Sequence, residues 1–205
     1  MKEIFLKHSL QLLNKEYHYQ GDDLDRVTYG LEVIYILFTK ISILLILSII
    51  FDCFKETLLF FIVLTPLRSV AYGMHAKKSW HCYIFSIIIF IYFPYLFTSF
   101  TFNDLQKILI SELSIISMLL FSPADTYKRP LINFKHRRKL KILSLIVSNI
   151  YIFFIFTSKE NYIVNLLILA LCTQSILINP ITYKLFNLPY ANYKVYLKNA
   201  ANLQE

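Results

Sequence analysis

Residues 68–82 read RSVAYGMHAKKSWHC, a polar interruption between two apolar runs. Arg68, Lys77, Lys78, two histidines, a glycine and a cysteine sit where the flanking chain is built from Leu, Ile, Val and Phe. A helical residue advances about 1.5 Å, so residues 75 and 82 on one straight helix would share a face but stand about 10.5 Å apart. His75 and Cys82 can meet only if the backbone turns between them. Gly73 can adopt backbone angles denied to other residues and can supply part of that turn. Trp80 suits the headgroup level and marks where the following helix enters a bilayer. The expectation is a helix ending near 72, a catalytic turn within 68–82, and Cys82 on the first turns of the next helix.

The surroundings of this stretch decide the fold. The chain has 205 residues, 57% of them hydrophobic, and only 3 glycines. So much apolar side chain points to a membrane protein. Six apolar stretches lie near 33–51, 57–72, 80–100, 106–121, 140–157 and 162–179. Crossing the hydrocarbon takes about 20 helical residues, with a lower limit near 17. The third and sixth stretches meet this, the second is marginal and the fourth short. The first holds Lys40, which must snorkel, pair or face the protein interior, and it is expected to begin earlier as a longer helix.

Charge placement sets the topology. With the N-terminus inside and six crossings, the inside segments are 1–32, 68–78, 122–141 and 180–205. They hold 17 of the 21 basic residues, against Lys55, Lys107 and Lys159 outside. Positive charge marks the cytoplasmic side. The sequence therefore predicts an all-α membrane protein with about six transmembrane helices and both termini cytoplasmic. The net charge of +8 follows from that asymmetry and calls for no nucleic-acid partner.

Leu6, Leu10, Leu13 and Tyr17 fall on one arc of a helix, with Lys7, Gln11, Asn14, Lys15 and His18 opposite. Residues 1–22 therefore read as an amphipathic helix, either on the anionic inner leaflet or packed on its own protein. Residues 23–205 read as a single six-helix membrane domain. The first residues lack the continuous apolar core and cleavage site of a signal peptide. GDDLD, 21–25, could cap the next helix, and Pro94 should kink the third crossing. SPADTYKRP, 122–130, reads as an ordered inner loop. FKHRRKLK, 134–141, reads as a positive-inside anchor or as a docking surface for an acidic peptide or lipid headgroups.

Thiolate is the reactive form of cysteine, and nearby cations favour it. Arg68, Lys77 and Lys78 bring positive charge to the turn that carries Cys82. His75 could take the thiol proton and return it to a leaving amine. His81 is a rival base, but sequence neighbours on a helix point about 100° apart. Cys53 and Cys172 read as small apolar fillers. His75, His81 and Cys82 lack a fourth ligand and any recognised zinc spacing, so no metal or cofactor is expected.

The pattern Arg68, Gly73, His75-Ala76 and Cys82 between two membrane helices, followed by PADTYKRP and HRRKLK, resembles the AgrB family of Gram-positive quorum sensing. Where many members have two glycines, this chain has Gly73-Met74. The resemblance implies a membrane cysteine endopeptidase that removes the C-terminal tail of a short AgrD-like propeptide and promotes its cyclisation to a thiolactone or lactone. By motif match Cys82 is the nucleophile and His75 the base, with Arg68 and Gly73 at positions needed for activity. Arg68 could stabilise an oxyanion or anchor a phosphate headgroup. Asp125 could orient His75 or cap the turn at Pro123. Lys77, Lys78, Asp125, Lys128, Arg129, Arg137 and Arg138 are candidates for substrate binding. A homodimer is compatible with the resemblance. A non-enzymatic transporter or peptide exporter is the alternative reading.

Overall fold

The computed structural model describes residues 2–17, 21–74, 79–126 and 130–202. Among them the chain is helical, with one isolated parallel bridge between Tyr72 and Ala124. It divides into two compact units, Met1–Ile50 and Phe51–Glu205.

The first unit is a pair of helices, α1 (Lys2–Tyr17) and α2 (Asp22–Ile50). Gly21, at φ +56°, lies in the connection between them. The first apolar stretch does begin early, and α2 runs 29 residues. α1 packs on α2 through buried Leu6, the Phe5 and Tyr35 rings 5.2 Å apart, and a 2.8 Å ion pair between Lys2 and Glu32. Lys7, Gln11 and Lys15 on the opposite face are exposed. The amphipathic pattern thus has a partner within the protein.

The second unit is built around α8 (Asn161–Ile178), which is buried along most of its length. α3 (Phe54–Ala71), α6 (Asp104–Phe121) and α7 (Phe134–Thr157) pack against it. Phe60, Leu67, Met118, Ile155, Leu166 and Leu171 form the centre of the core. The outward faces are as apolar as the core: Leu113 and Phe153 are about two-thirds exposed. In water such a surface would be covered, whereas in a bilayer it faces lipid tails.

The third stretch folds as α4 (Ser79–Ile87), a π-helical turn Ile88–Tyr92 and α5 (Phe93–Phe97). The π turn lies directly before Pro94. Proline has no N–H and its ring presses on the carbonyl four residues back, here Phe90. A wide turn at that point absorbs both defects without ending the helix. At its far end, Asn165 of α8 donates to the carbonyls of Phe97 at 2.8 Å and Phe100 at 2.7 Å. Helix ends leave such carbonyls without partners, and none can stay bare in hydrocarbon.

All six apolar stretches are helices, but among the described residues four are both long and apolar enough to cross a membrane: Asp23–Ile50, Trp80–Phe97, Phe134–Thr157 and Asn161–Ile178. α3 and α6 are as long as α8 but fall short because each carries three charges, Lys55, Glu56 and Arg68 in one and Asp104, Lys107 and Glu112 in the other. α8 is followed by α9 (Pro180–Leu185) and α10 (Asn192–Asn202).

Candidate active site

The polar interruption is not helical throughout. α3 stops at Ala71 and α4 starts at Ser79. Tyr72 takes φ +56° and Gly73 φ +119°, so the chain leaves the helix through two residues of left-handed sign. For Tyr72 this costs free energy that the surroundings must offset. For Gly73 the glycine is required twice over. A Cβ there would meet the Arg68 Nη1 at 2.5 Å and the Leu177 carbonyl oxygen at 2.8 Å, besides straining φ.

What holds the turn is a set of hydrogen bonds from three segments, α3, α8 and the loop after α6. Arg68 Nη1 donates to Tyr72 O at 2.7 Å, and Nη2 donates to Met74 O at 2.6 Å and Gly73 O at 3.4 Å. One planar guanidinium thus reaches the carbonyls that follow the end of α3, and its positive charge suits a helix C-terminus. Gln174 of α8 adds a second bond to Tyr72 O at 2.7 Å. Gly73 N–H donates to Ala124 O at 2.9 Å, and Ala124 N–H donates to Ala71 O at 3.0 Å. Met74 N–H donates to Leu177 O at 2.9 Å, and its side chain is buried. Met74 is therefore an anchor into the core.

The loop after α6 supports the turn from behind. Ser122–Pro123 is a cis peptide bond, and Ala124 pairs with the turn. Buried Tyr183 of α9 donates to Asp125 O at 3.1 Å. Burial pushes the Tyr183 phenol well above its ordinary range, against the opposing pull of Arg68, so it remains a donor at neutral pH. Asp125 turns its carboxylate to the start of α10. Its Oδ1 accepts from Asn192 N–H at 3.0 Å and its Oδ2 from Tyr193 N–H at 2.7 Å. These are orphan donors in the first turn of α10, and a carboxylate at a helix N-terminus is favoured by both hydrogen bonding and the dipole.

Cys82 lies on the first turns of α4, as the sequence predicts, and is partly exposed. It is within electrostatic reach of Arg68. Its neighbour His81 has its ring 3.8 Å from that of Trp80, which is 57% exposed. Cys53 differs in being fully buried, which pushes its thiol up despite the Thr57 hydroxyl beside it. His75, Lys77, Lys78, Lys128 and Arg129 lie outside the described residues. Arg68, Gly73 and Cys82 are brought to one end of α3 and α4. Arg137 stacks 3.3 Å over the Tyr193 ring, a cation–π contact that ties α7 to α10, and Arg138 is exposed.

Two contributors escaped the sequence reading. Gln174 is fully buried, and its Oε1 has no hydrogen-bond partner among the described residues. An amide inside an apolar run was the signal that could have found it, since polar groups there are expensive. Tyr183 follows the Asn179-Pro180 helix start and carried no such signal among so many tyrosines.

Comparison with known proteins gives a consistent result. The family model Accessory gene regulator B matches residues 6–178. An AgrB-like protein of Clostridium acetobutylicum is 32% identical over 183 residues, 88% of this chain and 87% of its own. One from Listeria innocua is 32% identical over 175 residues, covering 83% and 84%. The accessory gene regulator protein B of Staphylococcus carnosus is 32% identical over 146 residues, covering 69% and 76%. No solved structure matches. A helical chain with the Arg68–Gly73 turn and Cys82 behind it, matched by that model over most of its length, belongs to the AgrB family of accessory gene regulator quorum sensing.

Proposed function

We propose that the protein is a membrane cysteine endopeptidase that removes the tail of an AgrD-like propeptide and passes the remainder to an internal nucleophile. The observation that carries this reading is the break between Ala71 and Ser79. A straight helix would hold residues 75 and 82 about 10.5 Å apart; the exit of the chain from α3 through Tyr72 and Gly73, with Cys82 near the start of α4, supports a turned arrangement.

In this mechanism His75 takes the Cys82 proton, and the thiolate attacks the carbonyl before the tail. The carbon–nitrogen bond breaks and His75 returns the proton to the leaving amine. The propeptide body is then a thioester on Cys82. A thiol or hydroxyl within it attacks that carbonyl, and Cys82 leaves as thiolate. Amide to thioester is uphill, whereas thioester to thioester is nearly even, so removal of the tail or product draws the reaction forward. The enzyme must exclude water from the acyl intermediate and position the internal nucleophile. Arg68 spends its fork on three backbone carbonyls, and its role is to hold the turn. Lys77, Lys78, Lys128 and Arg129 steer the acidic tail. Six crossings put this turn on the cytoplasmic side, where the propeptide is made.

The test is cleavage of a co-expressed propeptide. Cys82→Ala and His75→Ala should each abolish tail release while the protein still inserts, and Cys53→Ser should retain it. Normal processing by the Cys82→Ala protein would eliminate the mechanism. It would leave the exporter reading.

A further inference from the structure

The start of α7 lines a cavity of about 620 Å³ together with the 120–125 segment and residues 190–194. Its walls carry Arg137, Arg138, Lys141 and Lys194. The one carboxylate there, Asp125, has both oxygens engaged by α10. The cavity is therefore strongly positive, and Arg137 Nε is buried without an acceptor among the described residues. Such a cluster is relieved by an anion.

Beyond it the same helix presents an open face of Ile142, Leu145, Ile146, Asn149, Ile150 and Phe153, with about 540 Å³ of free space against it. At 100° per residue, Arg138, Ile142, Leu145, Asn149 and Phe153 fall within an arc of about 80°. The rise from Arg138 to Phe153 is about 22 Å, longer than one leaflet's hydrocarbon half-thickness of about 15 Å. α7 is among the helices able to cross a membrane, and its charged end carries the positive-inside signal.

We propose that the basic cavity and the open apolar face of α7 form one site for an anionic phospholipid, its phosphate among Arg138, Lys141 and their neighbours and an acyl chain along α7. An acidic peptide would use the cations but has no use for the apolar face beneath them. A phosphodiester on a hydrocarbon chain uses both. The headgroup would rest against the loop whose Ala124 holds Gly73, so the lipid braces the turn from the membrane side.

Trp80 is the chain's single tryptophan, which permits a clean reporter. The full-length Trp80→Phe protein carrying Asn149→Trp, and separately Phe153→Trp, is placed in phosphatidylcholine vesicles. A fixed fraction of brominated phosphatidylglycerol or brominated phosphatidylcholine is then included. Quenching by the anionic lipid should be stronger by at least about twofold. Arg138→Gln with Lys141→Gln should erase the difference, and Arg138→Lys with Lys141→Arg should keep it. Equal quenching by both lipids overturns the proposal. So does a preference that survives the double Gln variant, which would reflect overall charge. Absence of quenching by either lipid shows the face covered by protein, including a second copy, and overturns it too. Equal quenching with protection by added oligoglutamate assigns the cations to an acidic peptide instead.

Discussion

Gly73 carries the most constrained single position in the chain. Its φ of +119° excludes a side chain on backbone grounds, and the space for a Cβ is already filled by Arg68 and Leu177. Gly73→Ala should therefore displace the Arg68 fork and move the turn. A misplacement of about 1 Å at a reacting centre costs on the order of 100-fold in rate. We expect propeptide cleavage by Gly73→Ala to fall by about that factor, with the protein still present in the membrane. Cleavage within about twofold of wild type would show that the turn tolerates a shift and is not a positioning device. The use of Gly73 in a turn was legible from sequence, because a straight helix could not bring residues 75 and 82 together and the glycine next to that stretch is free to leave helical geometry. The Arg68 contacts were not. An arginine beside a cysteine reads as an electrostatic partner, and nothing local says that its fork is spent on carbonyls four to six residues ahead.

At the scale of elements, the site depends on pieces far apart in sequence. The turn after α3 pairs with the loop after α6, that loop is fixed by α9 through Tyr183, and its Asp125 starts α10. Asp125→Ala removes two charge-assisted bonds to Asn192 and Tyr193. Loss of such a cap costs about 1–2 kcal/mol. We expect lower thermal stability in detergent and faster proteolysis within 192–202, with Asp125→Asn intermediate because one oxygen remains to accept. Unchanged proteolysis would show that α10 is held by other means. Helix existence was legible here, since apolar runs of this length leave the backbone few alternatives. The pairing of loops was not, because Asp125 lies 67 residues from Asn192 and no period or motif links them. Pro94 shows the intermediate case: its disruption was visible, but the π turn that accommodates it was not.

For the whole molecule the open quantity is the number of crossings. Charge asymmetry supports six, while length and apolarity single out four helices. The two topologies differ at α3 and α6. With six crossings Asp104 faces outward and the 71–79 turn inward; with four, both are reversed. Asp104 is well exposed. A membrane-impermeant maleimide should label Asp104→Cys in intact cells and label Lys135→Cys after permeabilisation alone. The opposite pattern at residue 104 would remove the turn from the compartment in which a propeptide is made. The scattered charges of α3 and α6 made this ambiguous from the sequence, and their packing against α8 does not depend on which way they point.

The central claim is that Cys82 carries the propeptide body as a thioester. The direct measurement is intact mass of the purified protein after brief exposure to propeptide, followed by digestion. The account predicts a mass increase equal to the propeptide without its tail, located on the Cys82 peptide, removed by hydroxylamine and absent from Cys82→Ala. Tail release at the wild-type rate with no adduct on Cys82, or an adduct on Cys53 or Cys172, would contradict it.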